Sequence, residues 1–385
     1  MKQTNNDFNF LPIEAVYFDS ACQSLRPQPV QDALTNYYQR HNSCGERAKY
    51  PWGHETDHLV DQTRQKVLDY LRLKPRHYFV SFTQNTTYGI NLLLNSLTRS
   101  FDQIITTDIE HNSPFLATME FARKHNIPRH VIDRHPDGSI PEDADFSNAL
   151  VVVNAVSNID SRRLENLTQI IKKVQKQGGV IIVDAAQAMA HESDLLHKTE
   201  ADAICFSAHK MYAPSLGGMI VKRTLIPHLK PAFIGGGMVD DVQLEDYQLS
   251  SNNPDHTHTI FEPGLQSYGE IIALGTALDW IAKQDKESLV IHCHTLYDFL
   301  KSSPKVHLVN QKPTPVISFY VDGLDSHLLG TALAAEGIMT RTGYFCCHYY
   351  LDHKMHLPPL VRLSLGYHTR PSDIEKFVTT MQKVI

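Results

Sequence analysis

Cysteine is sparse here: six in 385 residues (Cys22, Cys44, Cys205, Cys293, Cys346 and Cys347), none in CxxC spacing. That excludes a disulfide scaffold and makes reduced thiols the expectation. Long apolar runs are missing too, none approaching the roughly 18 residues that span a bilayer. Met1 to Asp7 are polar and lack the apolar stretch of a secretory signal, so a soluble, cytoplasmic chain is expected. Charge of one sign accumulates nowhere. Lys and Arg total 36 against 42 Asp and Glu, a formal net charge of −6, which leaves no footprint for nucleic acid or an anionic membrane. There is no GxGxxG after a strand, no GxxxxGK[ST] loop, no internal repeat and no low-complexity tract. The 22 histidines, including His256 and His258 and the trio His348, His353 and His356, show neither HExxH nor zinc spacing, and no metal is expected.

What is present is an ordinary globular composition, 42% hydrophobic and 20% charged. The length exceeds the roughly 250 to 300 residues at which one hydrophobic core stops growing, so at least two domains are expected. Between residues 77 and 225, short β-branched or aromatic runs alternate with helix-compatible segments, the pattern of an α/β fold with a mainly parallel sheet. The runs are Tyr78–Val80, Gln103–Thr106, His130–Ile132, Leu150–Val153, Val180–Val183, Ala203–Phe206 and Gly218–Val221. Helices are predicted over Thr86–Leu97, Pro114–His125 and Leu164–Gln177, the last stopped by Gly178-Gly179. Gly235 to Asp255 is polar and turn-rich and reads as a loop excursion. A helical run from Tyr268 leads into a second region with strands at Val316–Tyr320 and Leu360–Ser364. The expected division is an N-terminal arm (1–15), a large α/β domain (16–265) and a smaller α+β domain (266–385).

The chemistry gathers at strand ends. Val180–Val183 runs into Asp184, and Cys205-Phe206 runs into Ser207, His209 and Lys210, the lysine 26 residues after the aspartate. In open α/β sheets, ligands bind outside the carboxyl ends of the strands. Alone, either end proves little, because polar residues commonly follow buried strands and a lone Asp or Lys is usually solvated surface. Phe82 to Leu92 passes from strand to helix through Thr83, Thr86 and Thr87, and a helix N-terminus ringed by hydroxyls suits a phosphate monoester as well as ordinary capping. Glu110-His111-Asn112 puts an imidazole at the same edge. Lysine, carboxylate, imidazole and a phosphate cup are what pyridoxal 5′-phosphate needs: an amine for its aldehyde, amides and hydroxyls for its phosphate, a carboxylate for its ring nitrogen.

Further blocks follow in order: Tyr17-Phe18-Asp19-Ser20-Ala21, Asn85-Thr86-Thr87-x-Gly89-Ile90-Asn91, Val156-Ser157-Asn158, Val183-Asp184-x-x-Gln187, Phe206-Ser207-x-His209-Lys210, Phe261-Glu262-x-Gly264, Arg341-Thr342-Gly343-x-x-Cys346 and Val361-Arg362-Leu363-Ser364. From about residue 15 to the C-terminus, the chain resembles the aminotransferase class V family of fold-type I pyridoxal-phosphate enzymes, most of all its cysteine desulfurase and selenocysteine lyase branch. The resemblance implies that Lys210 binds the cofactor covalently and moves the substrate's α-proton, that Asp184 pairs with the ring nitrogen and that His111 stacks on the ring. It implies Gln187 at the phenolic oxygen with Asn158 beside it, and Thr86, Thr87, Ser207 and His209 at the phosphate. Arg362 would clamp the substrate's α-carboxylate, with Asn158 at the same pocket. Cys346, in a segment between Gly343 and Pro358-Pro359 that suits a mobile loop, would be the nucleophile. The implied reaction cleaves the C–S bond of L-cysteine or a related amino acid through an external aldimine and a Cys346 persulfide. The alternative is another class V reaction, C–S lysis, transamination or epimerisation, without a persulfide. A homodimer and a sulfur-acceptor protein are the implied partners.

The chain departs from the family pattern in four places. Ile159-Asp160-Ser161 follows Asn158 where a Thr-Gly turn is usual, and Leu265 stands where a Thr reaches the neighbouring subunit's phosphate. Tyr344-Phe345 replaces a His pair, and Cys347 follows Cys346 directly, making a vicinal dithiol conceivable.

Overall fold

The computed structural model describes residues 6–45 and 48–384; of the expected N-terminal arm, residues 1–5 lie outside the described residues. Its central element is a seven-stranded sheet of β1 (Tyr78–Thr83), β2 (Gln103–Thr107), β3 (Arg129–Ile132), β4 (Ala149–Asn154), β5 (Val180–Asp184), β6 (Ala203–Ser207) and β7 (Gly217–Lys222). The spatial order is β1-β7-β6-β5-β4-β2-β3. Neighbours run parallel except at β7, which opposes both β1 and β6. Each of the seven runs singled out in the sequence is a strand of this sheet.

β4, β5 and β6 are buried along their whole length, which is why they read as unbroken apolar runs rather than alternating ones. Their side chains still alternate between two cores. Val151, Val153, Ile181, Val183, Ile204 and Phe206 pack on one face with helices Leu167–Lys176 and Tyr268–Ile281. Leu150, Val152, Ile182 and Cys205 pack on the other with α1 (Thr86–Ser96) and α2 (Asn112–His125). The helix predicted from Leu164 starts at Leu167, because the Leu164 amide is held by Ala155 O at 2.8 Å. It ends where Gly178 takes φ +74°, the left-handed turn a glycine makes without strain.

A second, antiparallel sheet has the order Val306–Leu308, Val316–Val321, Leu360–Ser364, Arg341–Gly343. Its core joins Phe319 and Leu363 to Leu296, Leu333 and Phe377 from three helices, Lys286–Ser302, Ser326–Ala335 and Pro371–Gln382. The N-terminal segment belongs to this body too. Val16–Tyr17 pairs in parallel with Ile338–Met339, and Asp19 bridges to Ser364, which carries residues 19–22 to the strand bearing Arg362.

The stretch from Gly235 to Asp255, read as a loop, holds an antiparallel hairpin of Val239–Val242 with Tyr247–Leu249 and short 3-10 turns. Most of the hairpin is exposed on both faces, so it carries no apolar alternation for a sequence to display. Among the described residues, no helix is long and apolar enough to cross a membrane.

Candidate active site

The carboxyl ends of β1, β2, β4, β5 and β6 open on one edge of the large sheet, around a cavity of about 370 Å³. Every site residue singled out in the sequence lines it.

Lys210 ends a 3-10 turn directly after β6. Burial pulls its pKa below the ordinary lysine value, against the attraction of Asp184, and Arg362 adds repulsion. Asp184 closes β5 and accepts the Ala186 amide on Oδ1 at 2.9 Å. Burial raises its pKa, partly offset by that bond and by Lys210. Here a buried carboxylate and a buried amine face one space, each shifted toward its neutral form, and a cationic ring nitrogen beside Asp184 would reverse the penalty on its charge.

His111 caps α2: its Nδ1 accepts the Ser113 amide at 3.0 Å and lies 2.9 Å from Ser113 Oγ. Burial holds its pKa down to about 3, with Lys210 and Arg362 adding repulsion, so the ring is neutral with its proton on Nε2. Ser113 Oγ also meets Thr87 Oγ1 at 2.5 Å, tying the start of α2 to the start of α1. The cap of α1 is Asn85, whose Oδ1 takes the Tyr88 amide at 2.9 Å, so the neighbouring threonines do not perform it. Thr86 instead meets Ser207 Oγ through both its amide (3.0 Å) and its hydroxyl (2.8 Å). Gly217 makes this corner possible: a Cβ there would lie 2.5 Å from Asn85 Cα. His209, kept neutral by burial with its pKa down to about 4, completes that wall. Gln187 Nε2 donates to Ala21 O at 2.8 Å, which leaves its second amide hydrogen.

Asn158, expected at the cofactor, lines the cavity and also engages the cysteine segment. Its Nδ2 donates to Phe345 O at 2.8 Å and its Oδ1 accepts from Cys347 Sγ at 3.1 Å. Arg362 Nη1 donates to Asn158 O at 3.0 Å, its Nη2 lies 3.5 Å from Asp19 Oδ1, and its guanidinium sits 4.7 Å from the Phe345 ring centroid. Its Nε is buried without a partner among the described residues.

Cys346 is exposed at the cavity mouth, and both Phe345 (φ +49°) and Cys346 (φ +59°) adopt left-handed backbone. For two non-glycine residues in succession that is a strained turn, which the surroundings must impose. They do: Asn112 N donates to Cys346 O at 2.7 Å, Lys354 pairs with Asp108 at 2.8 Å and with Asp133 at 2.5 Å, and Phe115 stacks on Tyr349 at 4.8 Å. The segment expected to be mobile is docked in this structure. Cys347 is buried, and burial drives its thiol pKa up.

Sequence reasoning passed over several residues of the site. Ser113 had a visible signal, adjoining the Glu110-His111-Asn112 block. Cys22 and Arg341 reach the cavity wall only through the pairing of the N-terminal segment with the second sheet, with Asp19 behind them holding Arg341. Under the floor, Glu110 and Arg134 form a fully buried pair at 3.0 Å, and Glu110 also takes the Asn154 amide at 2.8 Å. Burial lifts Glu110 to about 7 against the pull of Arg134.

This donor set fits pyridoxal phosphate: a buried amine and a buried carboxylate lining one cavity, a flat neutral imidazole, and a hydroxyl-ringed helix N-terminus of positive polarity.

Comparison with known proteins agrees with the geometry. A model of the aminotransferase class-V family matches residues 16–377. The chain is 29% identical over 403 residues to a probable cysteine desulfurase of Haemophilus influenzae, spanning 100% of this chain and 90% of that one. It is 26% identical over 404 residues to a cysteine desulfurase of Pectobacterium atrosepticum, spanning 100% and 98%. Among solved structures, a cysteine desulfurase from Thermococcus onnurineus NA1 matches with a TM-score of 0.85 at 27% identity, over 97% of this chain and 95% of that one.

Proposed function

This chain belongs to the aminotransferase class-V family of fold-type I pyridoxal-phosphate enzymes, and on that premise we propose that it is a desulfurase acting on L-cysteine or a close analogue, with Cys346 as sulfur acceptor. Pyridoxal 5′-phosphate is its cofactor. The observation that supports the reading best is the convergence of Lys210, Asp184, His111, Arg362 and Cys346 on one cavity.

When bound, the cofactor supplies an electron sink for the substrate's α-carbon. Lys210 would hold it through Nζ and would take the α-proton; the lowered pKa favours the neutral amine that this task requires. Asp184 holds the proton on the ring nitrogen, and neutral His111 covers the ring without adding charge. Thr86, Thr87, Ser207 and His209, with the N-terminus of α1, take the phosphate, and the free amide hydrogen of Gln187 serves the phenolic oxygen. Arg362 binds the α-carboxylate, a bidentate task suited to its planar fork. Cys346 Sγ attacks the substrate sulfur. The S–S bond forms as the C–S bond breaks, the bonding pair stays with carbon, and protonation of that carbon yields alanine beside a Cys346 persulfide.

Two partners belong to this reading. A second copy of the chain would cover Phe233, Ile234, Leu244 and Leu265, each at least half exposed. A sulfur-acceptor protein would meet Cys346 at the cavity mouth, where it is exposed.

The test is incubation of the holoenzyme with L-cysteine, L-selenocysteine and cystine, assaying alanine against pyruvate. Alanine that disappears in Cys346→Ala supports the proposal; pyruvate formed with or without Cys346 contradicts it.

A further inference from the structure

Two thiols accompany Cys346 at the site, and the neighbour in sequence is the less available one. Cys347 is buried, packs with Ile109, Ile159 and Leu351, and donates to Asn158. Cys22, far upstream in the chain, is only half-buried and lines the same cavity as Cys346. Its backbone is fixed by the bond from Cys22 N to Asp19 O at 3.0 Å and by the bridge of Asp19 to Ser364. Its sulfur is held by Arg341, whose Nη2 donates to Cys22 Sγ at 2.7 Å and to Asp19 Oδ2 at 2.8 Å. Arg341 opens the short strand Arg341–Gly343, which runs directly into the turn bearing Cys346, so the guanidinium that orients the second thiol lies five residues before the nucleophile. Arg362, also on this wall, is buried, and its Nε has no partner among the described residues.

Resting on the desulfurase reading above, we propose that Cys22 is a second sulfur carrier, which takes the outer sulfur of the Cys346 persulfide. The Cys22 sulfur attacks the outer sulfur; the new S–S bond forms as the old one breaks, its electron pair stays on Cys346 Sγ, and the proton lost from Cys22 ends on Cys346. Cys346 is reduced from persulfide to thiol and Cys22 oxidised from thiol to persulfide, with no outside oxidant or reductant. The nucleophile is thereby cleared for another turnover, while the sulfur waits beside Arg341, a cation suited to a sulfur anion.

The experiment follows sulfur on both residues. Holoenzyme is mixed with L-cysteine, quenched over a time course with iodoacetamide and digested without reductant, and the peptides bearing Cys22 and Cys346 are weighed for one extra sulfur while alanine is assayed in parallel. The relay predicts label first on Cys346 and then on Cys22, none on Cys22 in Cys346→Ser, and sulfur retained wholly on Cys346 in Cys22→Ala and Cys22→Ser, with the cofactor's absorbance reporting that each variant is folded. Alanine and labelled Cys346 with Cys22 never labelled would overturn the relay alone. Label on Cys22 in Cys346→Ser would overturn it too, because Cys22 would then take sulfur from the substrate directly. Absence of alanine in the wild type would overturn the desulfurase reading and the relay with it.

Discussion

Asn158 clamps both flanks of Cys346: its Oδ1 accepts the Cys347 thiol at 3.1 Å and its Nδ2 donates to Phe345 O at 2.8 Å. The same residue's carbonyl accepts Arg362 Nη1 at 3.0 Å. The nucleophile and the proposed carboxylate clamp are therefore positioned by one residue at the edge of the large sheet.

Removing that clamp should slow the cysteine step more than it loosens the cofactor. With each hydrogen bond worth about 1 kcal/mol, Asn158→Ala should lower the rate of alanine formation about tenfold or more while the cofactor's absorbance is kept. Cys347→Ser, which retains a donor, should lose much less. Cofactor release by Asn158→Ala with the 344–358 segment still protected from protease would show that the amide serves the cofactor instead.

The neutral state of His111 has a pH signature. Its pKa, held down to about 3 in the fold against the usual 6.5, means the folded protein binds fewer protons than the unfolded chain between those values. That contribution to stability is whole above about pH 6.5 and is lost as the pH falls toward 3. His111→Gln should therefore gain on the wild type by about 3 kcal/mol in unfolding free energy between pH 7 and pH 4, measured by urea denaturation at both pH values. A gap independent of pH would mean that His111 titrates alike in the folded and unfolded chain, contrary to this account.

Arg134→Ala would leave the Glu110 carboxylate buried without its cation. Breaking a buried pair from one side costs about 3 to 5 kcal/mol, and a lower Tm should report it. Adding Glu110→Gln should recover part of the loss, since the amide oxygen still accepts from Asn154 N without carrying charge. A double variant no more stable than the single one would place the damage elsewhere.

Arg362→Lys keeps the charge but loses the fork. Steady-state kinetics with L-cysteine should show kcat/KM down by about 10- to 100-fold, from the loss of a charge-assisted bond worth about 1.5 to 3 kcal/mol. An unchanged kcat/KM would remove Arg362 from the substrate's carboxylate.

Much of the site was legible because its residues sit where buried runs end. β5 and β6 announce themselves by apolar length, and the polar residues that close and follow them, Asp184 and Ser207 to Lys210, are forced to the sheet edge. What escaped reading depends on partners distant in sequence. Nothing local in Tyr17 to Cys22 says that Asp19 will bridge to Ser364 or that Arg341 will hold Cys22. The docking of the cysteine segment escaped for the same reason: a local reading of Gly343 and Pro358-Pro359 suggests mobility, whereas Asn158, Asn112 and the Lys354–Asp108 pair hold it from elsewhere in the fold. The hairpin at Val239–Leu249 escaped because exposed strands need no apolar pattern.

Borohydride reduction of the holoenzyme, followed by peptide mapping of the pyridoxyl group, tests the core of this account most directly. The prediction is a single modified lysine, Lys210, with the visible absorbance lost on reduction and lost likewise in Lys210→Ala. A pyridoxyl group found on another lysine, or an undiminished chromophore in Lys210→Ala, would contradict it.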